Sequence, residues 1–236
     1  MKASAWTYRR LKSHMRRLLH DEPWPRALEA LQALPPQQAV NPLISFFCSG
    51  EALLRWRAVT GLGVVTAHLA VRRMEAARVV MRRLMWTLND ESGGIGWGAP
   101  EAMGEIMARH AGLAAEYANL LIAYLNPDGN FLEHPMLQRG LLWGVGRLAH
   151  ARPEAATGAA VFLPPFLISP DACHRGLAAW SLRAIPGRDC DALLSPLTPD
   201  AGQLDFYREG QIYRCTVADL ATGGLGLPRP SNGPTF

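Results

Sequence analysis

The sequence predicts an all-α solenoid, a stack of helix pairs closed by a small β-hairpin, and three observations carry that prediction. Four stretches repeat one helical phrase: Arg55-Trp56-Arg57-Ala58-Val59-Thr60-Gly61-Leu62-Gly63, Gly96-Trp97-Gly98-Ala99-Pro100-Glu101-Ala102-Met103-Gly104, Gln138-Arg139-Gly140-Leu141-Leu142-Trp143-Gly144-Val145-Gly146 and His174-Arg175-Gly176-Leu177-Ala178-Ala179-Trp180-Ser181-Leu182. Their first residues lie 41, 42 and 36 positions apart, the period of two-helix repeats in which no single unit buries its own apolar face. Apolar residues make up 49% of the 236 residues and charged ones 19%, enough hydrophobic surface for a continuous core. The end of the chain breaks the helical period, because Asp205 to Arg214 alternates in polarity around Glu209-Gly210, a hairpin pattern.

The elements follow in order. Residues 4–19 place Trp6, Leu11, Met15, Leu18 and Leu19 on one helical side and Arg9, Arg10, Lys12, Arg16 and Arg17 on the others. Pro23 and Pro25 stop that helix. Arg26 to Leu34 gives a second helix, ended by Pro35-Pro36, and Gln37 to Cys48 a third, with Pro42 tolerable near a first turn or as a kink. Glu51 to Ala70 pairs with Arg72 to Leu88, and Asn89 to Gly94 has turn composition. Gly96 to Arg109 pairs with Leu113 to Leu125, with Pro100 in the first turn where its missing amide costs least. Pro135 to His150 pairs with a helix from Glu154 to Ile168 kinked at Pro164-Pro165, and Asp171 to Ile185 follows. Thr216 offers an N-cap for Val217 to Ala221.

One domain is expected over residues 1–222, with an N-terminal cap at 1–36, repeats at 37–197 and a hairpin-and-helix cap at 204–222 that covers the last apolar face. Residues 223–236, rich in Gly, Pro and Ser, are expected to form a loose tail. No apolar stretch reaches 18 residues without a charge, so no membrane span or membrane partner is expected. Basic residues near the N-terminus lack a following apolar run and cleavage site, so no secretory signal is read. Cys48, Cys173, Cys190 and Cys215 are scattered without a CxxC pair and fit a reducing cytoplasm.

The net charge of +4 conceals a gradient. Residues 1–83 hold 14 Lys/Arg against 5 Asp/Glu, and the remainder 10 against 15. Such asymmetry suggests an anionic partner for the first half, a head-to-tail or interdomain contact, or simply solvated helix faces.

Small residues recur at equivalent places, at Gly61 and Gly63, Ala102 and Gly104, Gly144 and Gly146. Glycine inside a helix costs ~1 kcal/mol relative to alanine, so its recurrence points to a close approach by the paired helix. The phrases Arg57 to Gly63 and Ala99 to Gly104 resemble the inner-helix phrase of the HEAT-like repeat superfamily, particularly the bilin-lyase-type repeats, over roughly residues 37–195. The resemblance implies a right-handed α-α superhelix whose second helices line a concave face. It does not choose a function, since members of that superfamily include scaffolds, bilin-lyase subunits, a diiron hydroxylase and DNA glycosylases. Assistance in bilin or other cofactor attachment is a reading that rests on the resemblance alone.

If the blocks are structurally equivalent, their register maps a surface. The second positions are Trp56, Trp97, Arg139 and Arg175; four residues on come Thr60, Glu101, Trp143 and Ala179; another four bring Val64, Glu105, Arg147 and Arg183. The helical i, i+4, i+8 rule aligns each set and stacking sets the lines side by side. Trp and Arg together are enriched at binding hot spots, and Arg reads carboxylates with a planar fork. We therefore expect a non-enzymatic protein- or peptide-binding scaffold, with Trp56, Trp97 and Trp143 as anchors, Arg139, Arg147, Arg175 and Arg183 as carboxylate readers, and Glu101 and Glu105 as acceptors. The alternative use of the same residues is a ladder in which Glu101 and Glu105 pair with Arg139 and Arg147 while the tryptophans fill gaps between repeats.

Catalytic motifs are scarce. The seven histidines show no HxxxH or HExxH spacing, and the His-Glu dipeptides of diiron HEAT enzymes are replaced by one reversed Glu133-His134. No metal or cofactor is expected. Ser92 to Gly96 is glycine-rich but follows no strand, which makes a phosphate cradle a poor fit. Trp86-Thr87-Leu88-Asn89-Asp90 has the Trp-x-x-x-Asp spacing of the HEAT-like alkylpurine DNA glycosylases. With Arg72, Arg73, Arg78, Arg82 and Arg83 nearby in sequence, nucleic-acid binding or base excision through Trp86 and Asp90 is the second functional reading.

Overall fold

The computed structural model describes residues 6–21, 23–89, 96–187 and 190–224. The expected tail from 225 onward and Asp90 lie outside the described residues. The order is α1 (Tyr8–Asp21), α2 (Trp24–Gln32), α3 (Pro36–Ser45), α4 (Ala52–Arg72), α5 (Met74–Leu88), α6 (Ala99–Arg109), α7 (Ala111–Ala123) and α8 (Pro135–Ala151). A 3-10 helix (Pro153–Val161) leads to α9 (Pro164–Leu167) and α10 (Ala172–Ala184), then α11 (Asp191–Leu194) and a 3-10 turn (Ser195–Leu197). Strands β1 (Gln203–Arg208) and β2 (Gln211–Thr216) and helix α12 (Val217–Thr222) end the described chain. Among the described residues no helix is long and apolar enough to cross a membrane.

The chain is an all-α solenoid with a C-terminal hairpin. Helices α4, α6, α8 and α10 pack one on the next as a first layer, while α5, α7 and the long 3-10 helix form a second layer behind them. The core is continuous from Leu11 and Met15 of α1 to Val217 and Leu220 of α12, as expected where each repeat buries the face of its neighbour. Helix starts follow local chemistry. Pro25, Pro36, Pro100 and Pro135 sit in first turns, and Asp171 accepts the Cys173 amide at the start of α10. Thr216 and Asp219 form a reciprocal capping box on α12.

Pro42 lies inside α3, the second of the two places the sequence allowed it. Two local expectations need correction. The segment after Arg152 is a 3-10 helix and a short α-helix rather than one kinked α-helix; Pro153, Gly158 and the Pro164-Pro165 pair deny it a long uninterrupted ladder. The glycines face the neighbouring repeat, not the paired second-layer helix. A Cβ on Gly104 would lie 2.2 Å from the Gly144 carbonyl oxygen, and one on Gly144 2.5 Å from that of Pro100. A Cβ on Gly63 would meet Glu105, and one on Gly146 would meet Trp180. First-layer helices thus approach backbone to backbone at the recurring small positions.

The hairpin and α12 both pack on α10 at the end of the stack, where a Cβ on Gly176 would meet Leu204 of β1 and Leu220 of α12, and the hairpin also runs across the first layer. Its turn residues Glu209 and Gly210 both have positive φ, 50° and 79°, the twist that suits a two-residue hairpin. A Cβ on Gly210 would lie 2.2 Å from the Trp24 ring, so the turn needs glycine for its conformation and for its seat on α2.

Candidate functional site

The protein's own hairpin occupies part of the face that the register maps. Tyr207 of β1 stacks on Trp56 of α4, with ring centroids 5.0 Å apart and planes 9° from parallel. Its hydroxyl lies 3.0 Å from Thr60 Oγ1, and the Trp143 indole N–H donates to its carbonyl at 3.0 Å. Trp56 and Trp143 also contact each other at 4.8 Å. Next along β1, Phe206 meets the edge of Trp180 of α10 at 4.9 Å. At the turn, Arg57 donates to the carbonyls of Gly210 and Leu19, each at 2.9 Å, with its guanidinium over Trp24. One strap therefore touches α10, α8, α4 and α2. Phe206 and Tyr207 are buried, as is Trp143 at 3% exposure. An open groove at Trp56 and Trp143 is corrected: a tryptophan indole N–H needs an acceptor when buried, and β1 supplies it.

The charged members form a ladder. Glu105, at 2% exposure, receives Arg109 at 2.5 Å and Arg147 at 2.6 Å. Burial opposes its ionisation, but the two guanidiniums hold its carboxyl below the ordinary range. Arg139 bonds Asp171 at 2.7 Å, and Arg175 forks onto Asp200 at 2.7 and 3.1 Å. Arg183 is exposed and donates to the Ala221 carbonyl. The alternative ladder is thus present for Glu105 and Arg147, whereas Arg139 finds Asp171, the capping residue of the next helix.

Glu101 and Trp97 stand apart from both arrangements. The Glu101 carboxyl rests on the bare Cα of Gly140, and its Oε2 is buried without a hydrogen bond among the described residues. Burial pushes this carboxyl up to about 7, against its own backbone amide and the charge of Arg55. Trp97 is half-buried, and its ring contact is the edge of His134 at 5.3 Å. Trp97, Glu101 and Arg139 lie at the start of α6 and α8, giving an aromatic ring, a neutral-pH acid and a guanidinium along one edge of the first layer.

Sequence reasoning missed Arg57, Trp180, Phe206 and Tyr207. The alternation of the hairpin exposed Tyr207 and Phe206 as strand residues, but nothing in spacing shows which distant helix they meet. Among the described residues no three His, Cys, Asp or Glu side chains gather to hold a metal ion. Trp86 is 76% exposed on α5, and its proposed companion Asp90 lies outside the described residues.

No family model matches the chain. It is 25% identical over 191 residues to an uncharacterized protein of Archaeoglobus fulgidus, covering 80% of this chain and 95% of that protein. Among solved structures it is similar to an engineered protein with a TM-score of 0.45 and 17% identity, over 90% of this chain and 95% of that one. It is also similar to a designed armadillo repeat protein in complex with the peptide (KR)4, with a TM-score of 0.47 and 15% identity over 90% and 98% of the two chains. A second designed armadillo repeat protein gives a TM-score of 0.39 at 17% identity, over 75% and 82%.

Proposed function

We propose that the chain is a non-enzymatic scaffold that binds a protein or peptide partner along the first-layer edge marked by Trp97, Glu101 and Arg139. One observation carries this reading: Glu101 Oε2 is a buried acceptor without a partner, beside a half-buried tryptophan that the hairpin does not cover. Buried acceptors are otherwise satisfied in folded proteins, and a partner's amide or ammonium group is a natural donor once the edge adjusts on docking. Aromatic and arginine side chains supply most of the energy at such surfaces. In this reading Trp56, Trp143, Glu105, Arg147 and Arg175 hold the scaffold together, and Arg183, in the last turn of α10, ties that helix to α12 through the Ala221 carbonyl.

The test is affinity capture with wild-type protein and the double variant Trp97→Ala/Arg139→Ala, both checked for native helicity. Loss of a specific partner from the variant is the expected result. Equal recovery by both proteins would refute the assignment.

A further inference from the structure

A second surface lies on another element. Helices α3 and α5 both pack on α4, and a cavity of about 720 Å³ lies between them. Its walls are Val40 of α3, Leu69 of α4, and Met74, Val79 and Val80 of α5. A smaller cavity of about 380 Å³ lies against Arg82, Met85 and Trp86 of the same helix. Val79 and Trp86 are 53% and 76% exposed and fall seven residues apart in sequence, on one face of α5. Between them on that face stand the exposed Arg82 and Arg83, so the two apolar side chains flank a pair of guanidiniums.

The charge around it has one sign in excess. Glu75 is engaged by Arg78 and Arg82, and Glu116 by Arg78. Arg83 holds Asn41 at the rim of the larger cavity, and Arg73 lines the same cavity with no ion-pair partner among the described residues. Both remaining guanidiniums therefore offer donor positions beside an apolar trough.

We propose that the outer face of α5 docks an acidic amphipathic peptide segment of a partner protein. Its aliphatic or aromatic side chains fill the trough over Val79 and Val80, and its carboxylates meet Arg73 and Arg83. Charge complementarity chooses the acidic sequence, and an arginine fork suits a carboxylate. The apolar walls choose a peptide over nucleic acid, because a phosphate backbone leaves those walls unfilled and bases find only Trp86 to stack on. This surface is independent of the Trp97 edge.

The test selects short random peptides on the immobilised full chain and measures the winners by fluorescence anisotropy against wild type, Arg73→Glu/Arg83→Glu and Val79→Asp. All three positions are at or near the surface, and circular dichroism confirms folding. The expected winners carry acidic residues flanking an apolar one, and each variant weakens them by about tenfold or more. Winners without acidic enrichment, or indifferent to both variants, would overturn the proposal. So would duplex DNA that binds wild type and is released by the same variants, or a self-association in ultracentrifugation that those variants abolish.

Discussion

Tyr207 lies flat on Trp56, with ring planes only 9° apart, although 151 positions separate the two residues in the chain. That contact ties the final hairpin to the first full repeat. A solenoid whose repeats touch only their neighbours gains stability by nearest-neighbour terms; here one strap adds a contact between distant repeats. Truncating the ring in Tyr207→Ala should cost about 3–5 kcal/mol, the range for removing a buried aromatic ring. Tyr207→Phe, which removes only the partner of Thr60, should cost about 1 kcal/mol. Urea unfolding of both variants checks the pair, and similar small losses would show that the ring is not structural.

The small residues make a sharper case. Gly104→Ala places a methyl group where the Gly144 carbonyl oxygen now lies 2.2 Å away, and no flexible side chain is there to yield. A loss of about 3 kcal/mol or more is expected, at or beyond the upper end of ordinary overpacking. Gly158→Ala, whose nearest atom would be 3.8 Å away, should be close to neutral. Thermal denaturation of the two variants distinguishes backbone contact from a mere preference for small residues.

Two glutamates one helical turn apart should give opposite pH dependences. Glu105 is held below the ordinary carboxylate range when folded, so its contribution is present above its unfolded value and is lost as the medium is acidified through the folded one. Glu101 is raised to about 7, so its neutral form favours folding at low pH and that benefit is lost as pH rises through 7. Its loss amounts to roughly 3 kcal/mol from a shift of this size. Glu101→Gln should therefore flatten the fall in stability between the ordinary carboxylate value and about 7, and Glu105→Gln should flatten the acid side of the profile. Denaturant midpoints across pH measure both, and a Glu101→Gln profile that falls as steeply as wild type while pH rises toward 7 would contradict the burial argument.

Much of this was legible in the sequence. The period near 40 residues located the first-layer helices, and Pro100, Asp171 and Thr216 marked where helices begin. The register also brought Glu105 and Arg147 together. What it did not show are contacts fixed by tertiary approach. Arg139 turns to Asp171 because the next helix presents a capping carboxylate within reach, and Trp143 turns to a strand that lies 64 positions away in the chain. Helical spacing aligns side chains on one surface; it is silent about what folds back over them.

The division of that face between strap and open edge is the central claim, and residue-resolved oxidation of the tryptophans in the native protein tests it most directly. Trp86 and Trp97 should react ahead of Trp143, which should gain reactivity in the Tyr207→Ala variant without global unfolding. Trp143 reacting as fast as Trp86 in the wild-type protein would contradict the account, because the hairpin would then not cover the face.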